Sequence, residues 1–413
     1  MVSTAHGNLY VRAHAYMMGA DLRFIHCADL HLDAPFKNVL SYGEQYVSAM
    51  IESSYLALDA VIDKAISEKV DFIIFSGDIF DSEYSTPRSR FRFAEALKRS
   101  GLRCYIAYGN HDFERKWESS IPFSENVVEF PDHVVNVPYP NKENKIADII
   151  GISHSRKEED KDLTSEIDGT SDFSIAVVHC DVDSATEGWR YAPCKLQNML
   201  TKKIDYWALG HVHKRNIVHK FPHVVYPGNT QGRSPKETGE KGAYLVTVTN
   251  GLVTDMEFFV TGGIRWIDIE ADITGKEMNS LLYDIVQLSE ENSFLNIRIV
   301  GKGGLDKMIR SEKDDVIGMI EKQTKSRVSK FDVFSIPDID TEERKKIPDF
   351  TSSVIISSEV FCNMTREQII EKICDTRASL SMKRMFEDMT DEELLDMVRC
   401  ASSSLLVRLE AGK

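Results

Sequence analysis

Ten residues in five short clusters have the types and spacing that bind cations. Asp29 and His31 stand one residue apart, Asp78 opens the run Asp78-Ile79-Phe80-Asp81, and Asn110, His111 and Asp112 are consecutive. His179 stands alone, and His211 and His213 are again one residue apart. Carboxylates, an amide oxygen and neutral imidazoles make an O/N ligand set without sulfur, which suits Mn²⁺, Fe or Zn²⁺. D-x-H and H-x-H put alternate residues on one side of an extended segment, so both can face one cavity. Two divalent ions roughly 3.5–4 Å apart share a ligand, and a carboxylate can bridge them; such a pair activates water at neutral pH and neutralises phosphoryl charge. A histidine left out of the ligand set could then protonate or stabilise the leaving oxygen. Any one of these histidines, taken alone, is more often structural, G-D-x-x-D is a common turn and N-H-D can cap a helix. Five such signals in series, each after an apolar run, exceed what turn chemistry produces.

The elements that must position these residues can be read from the same stretch. The apolar runs Leu22–Cys27, Asp71–Ser76, Leu102–Tyr108, Phe173–Val178 and Asp205–Leu209 each end in Gly, Asp, Asn or His. Short continuous runs of this kind suit strands buried on both faces. With the helical spacing of Tyr46–Lys69 between the first two, they predict α/β architecture. Open α/β sheets carry their ligand sites beyond the carboxyl ends of the strands, where every one of the five clusters falls. The polar stretch 157–172 reads as a mobile surface loop. After Thr261-Gly262-Gly263 the pattern changes to strand Ile264–Ile269, helix Lys276–Leu288, strand Phe294–Val300, a helix near Asp306–Lys322 and strand Arg327–Ile336. This predicts a small α+β domain over 262–340. Beyond it, 341–413 reads as helical, with Thr365/Gln368 and Thr390/Glu393 at capping-box spacing.

A chain of 413 residues is long enough for two or three domains, and 42% apolar residues are enough to bury their cores. The net charge of −15 argues against a large surface that grips nucleic acid by charge alone, so such a substrate needs local basic groups or bound cations. Lys202-Lys203, Lys214-Arg215 and Arg233 lie near the clusters in sequence. Seven scattered cysteines (Cys27, Cys104, Cys180, Cys194, Cys362, Cys374 and Cys400), never spaced C-x-x-C, fit a reducing cytoplasm and no thiolate metal site. Cys27 and Cys180 lack a paired base, so nucleophilic catalysis by either is not expected. No apolar run is long enough to span a bilayer. Residues 1–20 read as a flexible extension without a signal-peptide pattern, with Met18 as an alternative start. His6, His14, His133, His154, His219 and His223 read as surface or loop residues, and His26 as core.

In their order, D-x-H, G-D-x-x-D, G-N-H-D, a single His and G-H-x-H resemble the motifs of the calcineurin-like metallophosphoesterases. HCADLHLD (His26–Asp33), SGDIFD (Ser76–Asp81), YGNHD (Tyr108–Asp112), ALGHVH (Ala208–His213) and YPGNTQGR (Tyr226–Arg233) are similar to the DNA double-strand-break repair nucleases, the SbcD and YhaO type of exonuclease. The motif-bearing part is roughly residues 21–260. The resemblance implies a four-layer αββα sandwich with a smaller α+β capping domain and a helical C-terminal region. It also implies that Asp29, His31 and His213 hold one metal, that Asn110, His179 and His211 hold the other, and that Asp78 bridges them. His111 would be the catalytic histidine and Asp112 would orient it.

The function so implied is a two-metal phosphodiester hydrolase, a Mn-dependent DNA exonuclease in repair or recombination. Its partners would be DNA and an SMC-like ATPase docked on the C-terminal helices, with a homodimer possible. Two other readings stay open: a phosphodiesterase or phosphatase for small nucleotides or phosphoproteins, and a DNA-tethering scaffold with a structural metal site.

Overall fold

The computed structural model describes residues 20–36, 44–170, 173–183, 191–338, 341–374, 386 and 389–411. Of the expected N-terminal extension only Ala20 falls among them. The chain divides into two compact units, Met1–Arg265 and Trp266–Lys413.

In the first unit, strands β1 (Leu22–Cys27), β2 (Phe72–Ser76), β3 (Arg103–Ala107) and β4 (Val127–Glu129) run parallel. They share a six-stranded sheet with an antiparallel edge described below. A second six-stranded sheet is built on β5 (Val135–Tyr139), β6 (Ala147–Gly151) and β7 (Ser174–His179), with the small pair β8 (Asp181–Val182) and β9 (Pro193–Cys194) standing apart. β10 (Tyr206–Gly210), β11 (Asn216–Lys220) and β12 (His223–Tyr226) complete it in the order β11-β12-β10-β7-β6-β5. The hairpin β13 (Gly242–Thr249) and β14 (Leu252–Val260) returns to the first sheet, where β13 pairs antiparallel with β1. Its turn is Asn250-Gly251, both with positive φ, the conformation that an Asn-Gly hairpin turn needs.

The two sheets pack face to face. Phe24, Phe72, Ile74 and Tyr105 from the first meet Ile149, Ile175, Val177 and Tyr206 from the second. The other face of the first sheet carries Ile25, Ile73 and Phe75 against helices α1 (Glu44–Ser67) and α2 (Pro87–Ser100). Because successive residues of β1, β2 and β7 meet different covered faces, their runs are mostly apolar rather than alternating. α2 begins where Thr86 caps Ser89 N–H with Pro87 next to it, and ends where Gly101 adopts the left-handed region. The outer face of the second sheet is covered by the short α3 (Leu196–Met199) and by Leu163 and Ile167. The segment expected as a mobile loop therefore has anchors: Leu163, Thr164 and Ile167 are buried, as is Glu159. Charge counting missed them because two apolar side chains in a polar run are enough to tie it down. The layers are helix, sheet, sheet and a thinner helical and loop layer, the αββα arrangement.

The second unit starts with a parallel three-stranded sheet, β15 (Trp266–Asp272), β16 (Phe294–Val300) and β17 (Arg327–Val333). Helices α4 (Met278–Leu288), α5 (Leu305–Ser311) and α6 (Lys313–Thr324) bury Leu281, Ile285, Val316 and Ile320 against Ile269, Ile297 and Ile299. The single helix expected near Asp306–Lys322 is two, broken at Glu312, which leaves the helical region (φ −117, ψ 41). Then follow α7 (Thr341–Lys345), α8 (Phe350–Cys362), α9 (Arg366–Cys374) and α10 (Asp391–Ala411). Both expected capping boxes form: Thr365 N–H donates to Gln368 and Thr390 N–H to Glu393. No helix among the described residues is long and apolar enough to cross a membrane.

Candidate metal centre

The parallel strands of the two sheets end on the same side, and each end contributes to one cluster. Asp29 and His31 follow β1, Asp78 follows β2, and Asn110, His111 and Asp112 follow β3. His179 is the last residue of β7, and His211 and His213 follow β10. The chain leaves regular geometry sharply here: Asp29, His31, Asp78 and His211 all have positive φ (54°, 46°, 50° and 107°). Such conformations cost of order 1–3 kcal/mol each in non-glycine residues and persist where the surroundings over-determine them. Asp29 N–H donates to Gly77 O (3.0 Å) and His31 N–H to Asp78 O (2.9 Å), which locks the β1 and β2 ends together. Closure between the sheets needs glycine. A Cβ on Gly210 would lie 1.9 Å from Ser76 O, and one on Gly77 would lie 2.4 Å from His179 Nδ1.

Lone pairs converge in this cluster. His179 donates Nδ1–H to Ser76 O (3.0 Å), so in the neutral ring Nε2 carries no proton. That nitrogen faces Asn110 Oδ1 at 3.1 Å and Asp78 Oδ2 at 3.3 Å, both acceptors. His213 likewise turns Nδ1 to Glu237 Oε1 (2.9 Å) and leaves Nε2 3.1 Å from His31 Nε2. Asp78 Oδ2 stands between the two groups, 3.3 Å from His179 Nε2 and 3.7 Å from His31 Nε2. Ligand atoms of Asp29, His31 and His213 lie within 4.8 Å of one another, as do those of Asp29, Asp78 and His179. Buried acceptors facing acceptors are costly unless a proton or a cation sits among them, so the donor set fits divalent metal. His211 offers its backbone N–H to both Asp29 oxygens (3.1 and 3.2 Å), and its ring centroid is 5.2 Å from that of His179.

Electrostatics say the same. Burial resists charge on Asp78, but His179 beside it outweighs this and holds the carboxyl well below its ordinary range. Burial also lowers His179, yet Asp78 raises it to about 9. For His211, burial and then the charge of His179 lower the ring to about 3. Burial pushes Asp29 upward. Metal-free, this cluster holds its charge by proton sharing. With two divalent ions bound, the carboxylates and neutral rings would be satisfied without it.

His111 sits at the open side of the cluster, its side chain 37% exposed, with its ring 5.1 Å from that of His31. The carboxylate that reaches its Nδ1 is Asp81, at 3.2 Å. This corrects the expectation that Asp112 orients His111. Asp112 is buried and accepts from three backbone N–H groups, Gly109 (2.6 Å), Ile79 (2.7 Å) and Phe80 (3.3 Å), fastening the β2 and β3 loops to each other. Sequence adjacency misled, because Asp112 points into the loop below while Asp81 comes from the neighbouring strand end. Asp81 was present in the G-D-x-x-D motif, so the signal for it existed. Glu237 was missed altogether. It takes His213 Nδ1, Asn229 Nδ2 (2.8 Å) and the Arg233 backbone N–H (2.7 Å), and burial is outweighed by His213, giving a carboxyl of about 2.

Among the other histidines, His26 is core as expected, held by Tyr206 Oη (3.0 Å) and Leu209 O (3.2 Å). His154 is not a surface residue: it is buried and donates Nε2–H to His179 O (2.7 Å), which braces the strand end bearing that ring. Lys202 and Lys203 precede β10, whereas the cluster follows it, so their nearness in sequence does not bring them to the site. Arg233 does come near it: its charge acts on His31 and Asp81.

A family model described as calcineurin-like phosphoesterase matches residues 22–215. An uncharacterized metallophosphoesterase, YhaO, from Bacillus subtilis is 34% identical over 298 residues, 69% of this chain and 73% of that protein. The DNA double-strand break repair protein Mre11 of Sulfurisphaera tokodaii is 29% identical over 203 residues, 47% of this chain and 50% of that protein. A solved dimetal phosphatase from Danio rerio is 13% identical, with a TM-score of 0.38 over 58% of this chain and 96% of its own. The chain belongs to the calcineurin-like metallophosphoesterases. It is a hydrolase of phosphoester bonds, of a family that uses two divalent metals.

Proposed function

We propose that the protein is a Mn²⁺-dependent DNA exonuclease acting in repair or recombination. The observation that carries the catalytic part is His111, held on Asp81 at the open edge of the acceptor cluster. Asp29, His31 and His213 would hold one ion and Asn110, His179 and His211 the other, with Asp78 placed to serve both. Bound there, the ions would supply Lewis acidity and a nucleophile at neutral pH. His111 donates Nδ1–H to Asp81, and that carboxylate raises the ring's pKa. The protonated imidazolium thus holds a second proton on Nε2, directed away from Asp81, and gives it to the leaving oxygen, becoming the neutral Nδ1–H ring. Asp112 and Glu237 hold loop and ring in place and touch no reacting atom.

The choice of DNA as substrate is supported by the similarity to a protein described as a double-strand break repair protein, which this chain matches over half its length. In the same reading, residues 262–340 act as a capping domain, and the helices of 341–413 dock an SMC-like ATPase in the cytoplasm. The test is release of mononucleotides from an end-labelled duplex with Mn²⁺, abolished by His111→Gln. Cleavage of small model diesters only would overturn the DNA assignment in favour of a nucleotide or phosphoprotein substrate. Co-purification with a large ATPase and no hydrolysis under any divalent metal would favour a scaffold.

A further inference from the structure

The tertiary structure brings Arg233, from the Tyr226–Arg233 segment, close enough to the cluster for its charge to act on His31 and Asp81. Two loops hold it. Its backbone N–H donates to Glu237 Oε2 (2.7 Å), the carboxylate that also orients His213. Its Nη2–H donates to Pro35 O (3.2 Å), and its guanidinium carbon stands 5.9 Å from the Phe36 ring, four and five residues beyond His31. Its Nε–H is buried and has no hydrogen-bond partner. Among the described residues no carboxylate lies within ion-pairing distance of the guanidinium, because those nearby are engaged. Glu237 takes His213 and Asn229, Asp81 takes His111, and Asp78 takes His111 N–H and His179.

A half-buried guanidinium without a carboxylate partner, its Nε–H buried and unbonded, is costly. Divalent ions in the cluster would raise that cost, because they add like charge nearby. The chemistry that resolves it is an anion with several oxygens, reached by the cations on one side and the planar N–H fork on the other. We propose that Arg233 is a substrate-binding residue, its guanidinium donating to a non-bridging oxygen of the phosphodiester at the metal cluster. Phe36 packs against the guanidinium and Pro35 O fixes its direction, so the fork is set before substrate arrives. The proposal rests on reading the cleft as a phosphodiesterase centre.

The experiment uses the full chain loaded with Mn²⁺, inorganic phosphate as the binding probe and bis(p-nitrophenyl) phosphate as substrate. Arg233→Met should weaken phosphate binding and raise KM by about tenfold to a hundredfold, the loss of a charge-assisted hydrogen bond. Mn²⁺ stoichiometry by calorimetry should remain that of the wild type. Arg233→Lys keeps the charge without the fork and should fall between the two. Phosphate affinity and KM within threefold of wild type in Arg233→Met would overturn the proposal. Loss of Mn²⁺ binding or of folding in both variants would also overturn it and make Arg233 a tie between two loops. If Arg233→Met weakens phosphate binding while the wild type cleaves neither DNA nor the diester, the anion site stands and the catalytic reading fails.

Discussion

His111 Nδ1 lies 3.2 Å from Asp81 Oδ2, so the carboxylate that sets this ring comes from the β2 end while the ring follows β3. The pair fixes the ring orientation that leaves Nε2 available. His111→Gln should lower kcat on a phosphodiester by about 10²- to 10⁴-fold, the range for a lost general acid, with Mn²⁺ stoichiometry retained. Asp81→Asn should cost at least about tenfold, or about 1.4 kcal/mol. Initial rates at saturating Mn²⁺ decide it, and wild-type rates in either variant would remove the pair from the mechanism.

Glu237 acts one bond further out. It accepts Nδ1–H of His213 and so aims the opposite nitrogen into the cluster. Partners of this kind are worth roughly 10- to 100-fold in metal affinity. Glu237→Gln should weaken Mn²⁺ binding by that factor in calorimetry, beyond any loss of stability in the chelated protein from its lost bonds to His213, Asn229 and Arg233. An unaltered dissociation constant would show that His213 does not depend on it.

Metal removal should be felt as stability as well as activity. The acceptors of Asp78, Asn110, His31, His179 and His213 face each other across about 3–4 Å. Cations bound only to the folded chain stabilise it by about 2.7 kcal/mol at a hundredfold excess over the dissociation constant. Melting temperature should therefore drop on chelation and rise again with Mn²⁺ in a concentration-dependent way. A melting curve indifferent to Mn²⁺ would mean that the cluster does not bind it.

Acid sensitivity should have a source away from the centre. Burial lowers His26 from its ordinary 6.5 to about 3, and its bond to Leu209 O recovers only part of this. The folded ring stays neutral while the unfolded one takes a proton below about 6.5. Its contribution is thus complete above that pH and is lost as pH falls toward 3, at about 1.4 kcal/mol per pH unit. In urea titrations of chelated protein across this window, His26→Gln should show a pH slope shallower by about one proton. Equal slopes would place the acid sensitivity elsewhere.

Much of the first unit was legible because its signals are local. β1 matches its expected span Leu22–Cys27. A strand covered on both faces is apolar at most positions, and that leaves a plain trace. The strands that went unread, β4 to β6, β8, β9 and β11 to β14, are short, lie toward sheet edges or alternate. Glu312 split a helix that periodicity alone joins.

For the site, the sequence alone determined which residue types end the strands and in what order, because ligand chemistry restricts them to Asp, His and Asn. Partnership was decided only by the tertiary structure. Asp81 displaced Asp112 at His111, Glu237 reached His213 from a later loop, and Arg233 came in where Lys202 and Lys203 did not. The physical reason is that a hydrogen bond is settled within about 3 Å, at junctions between strands that the chain visits far apart.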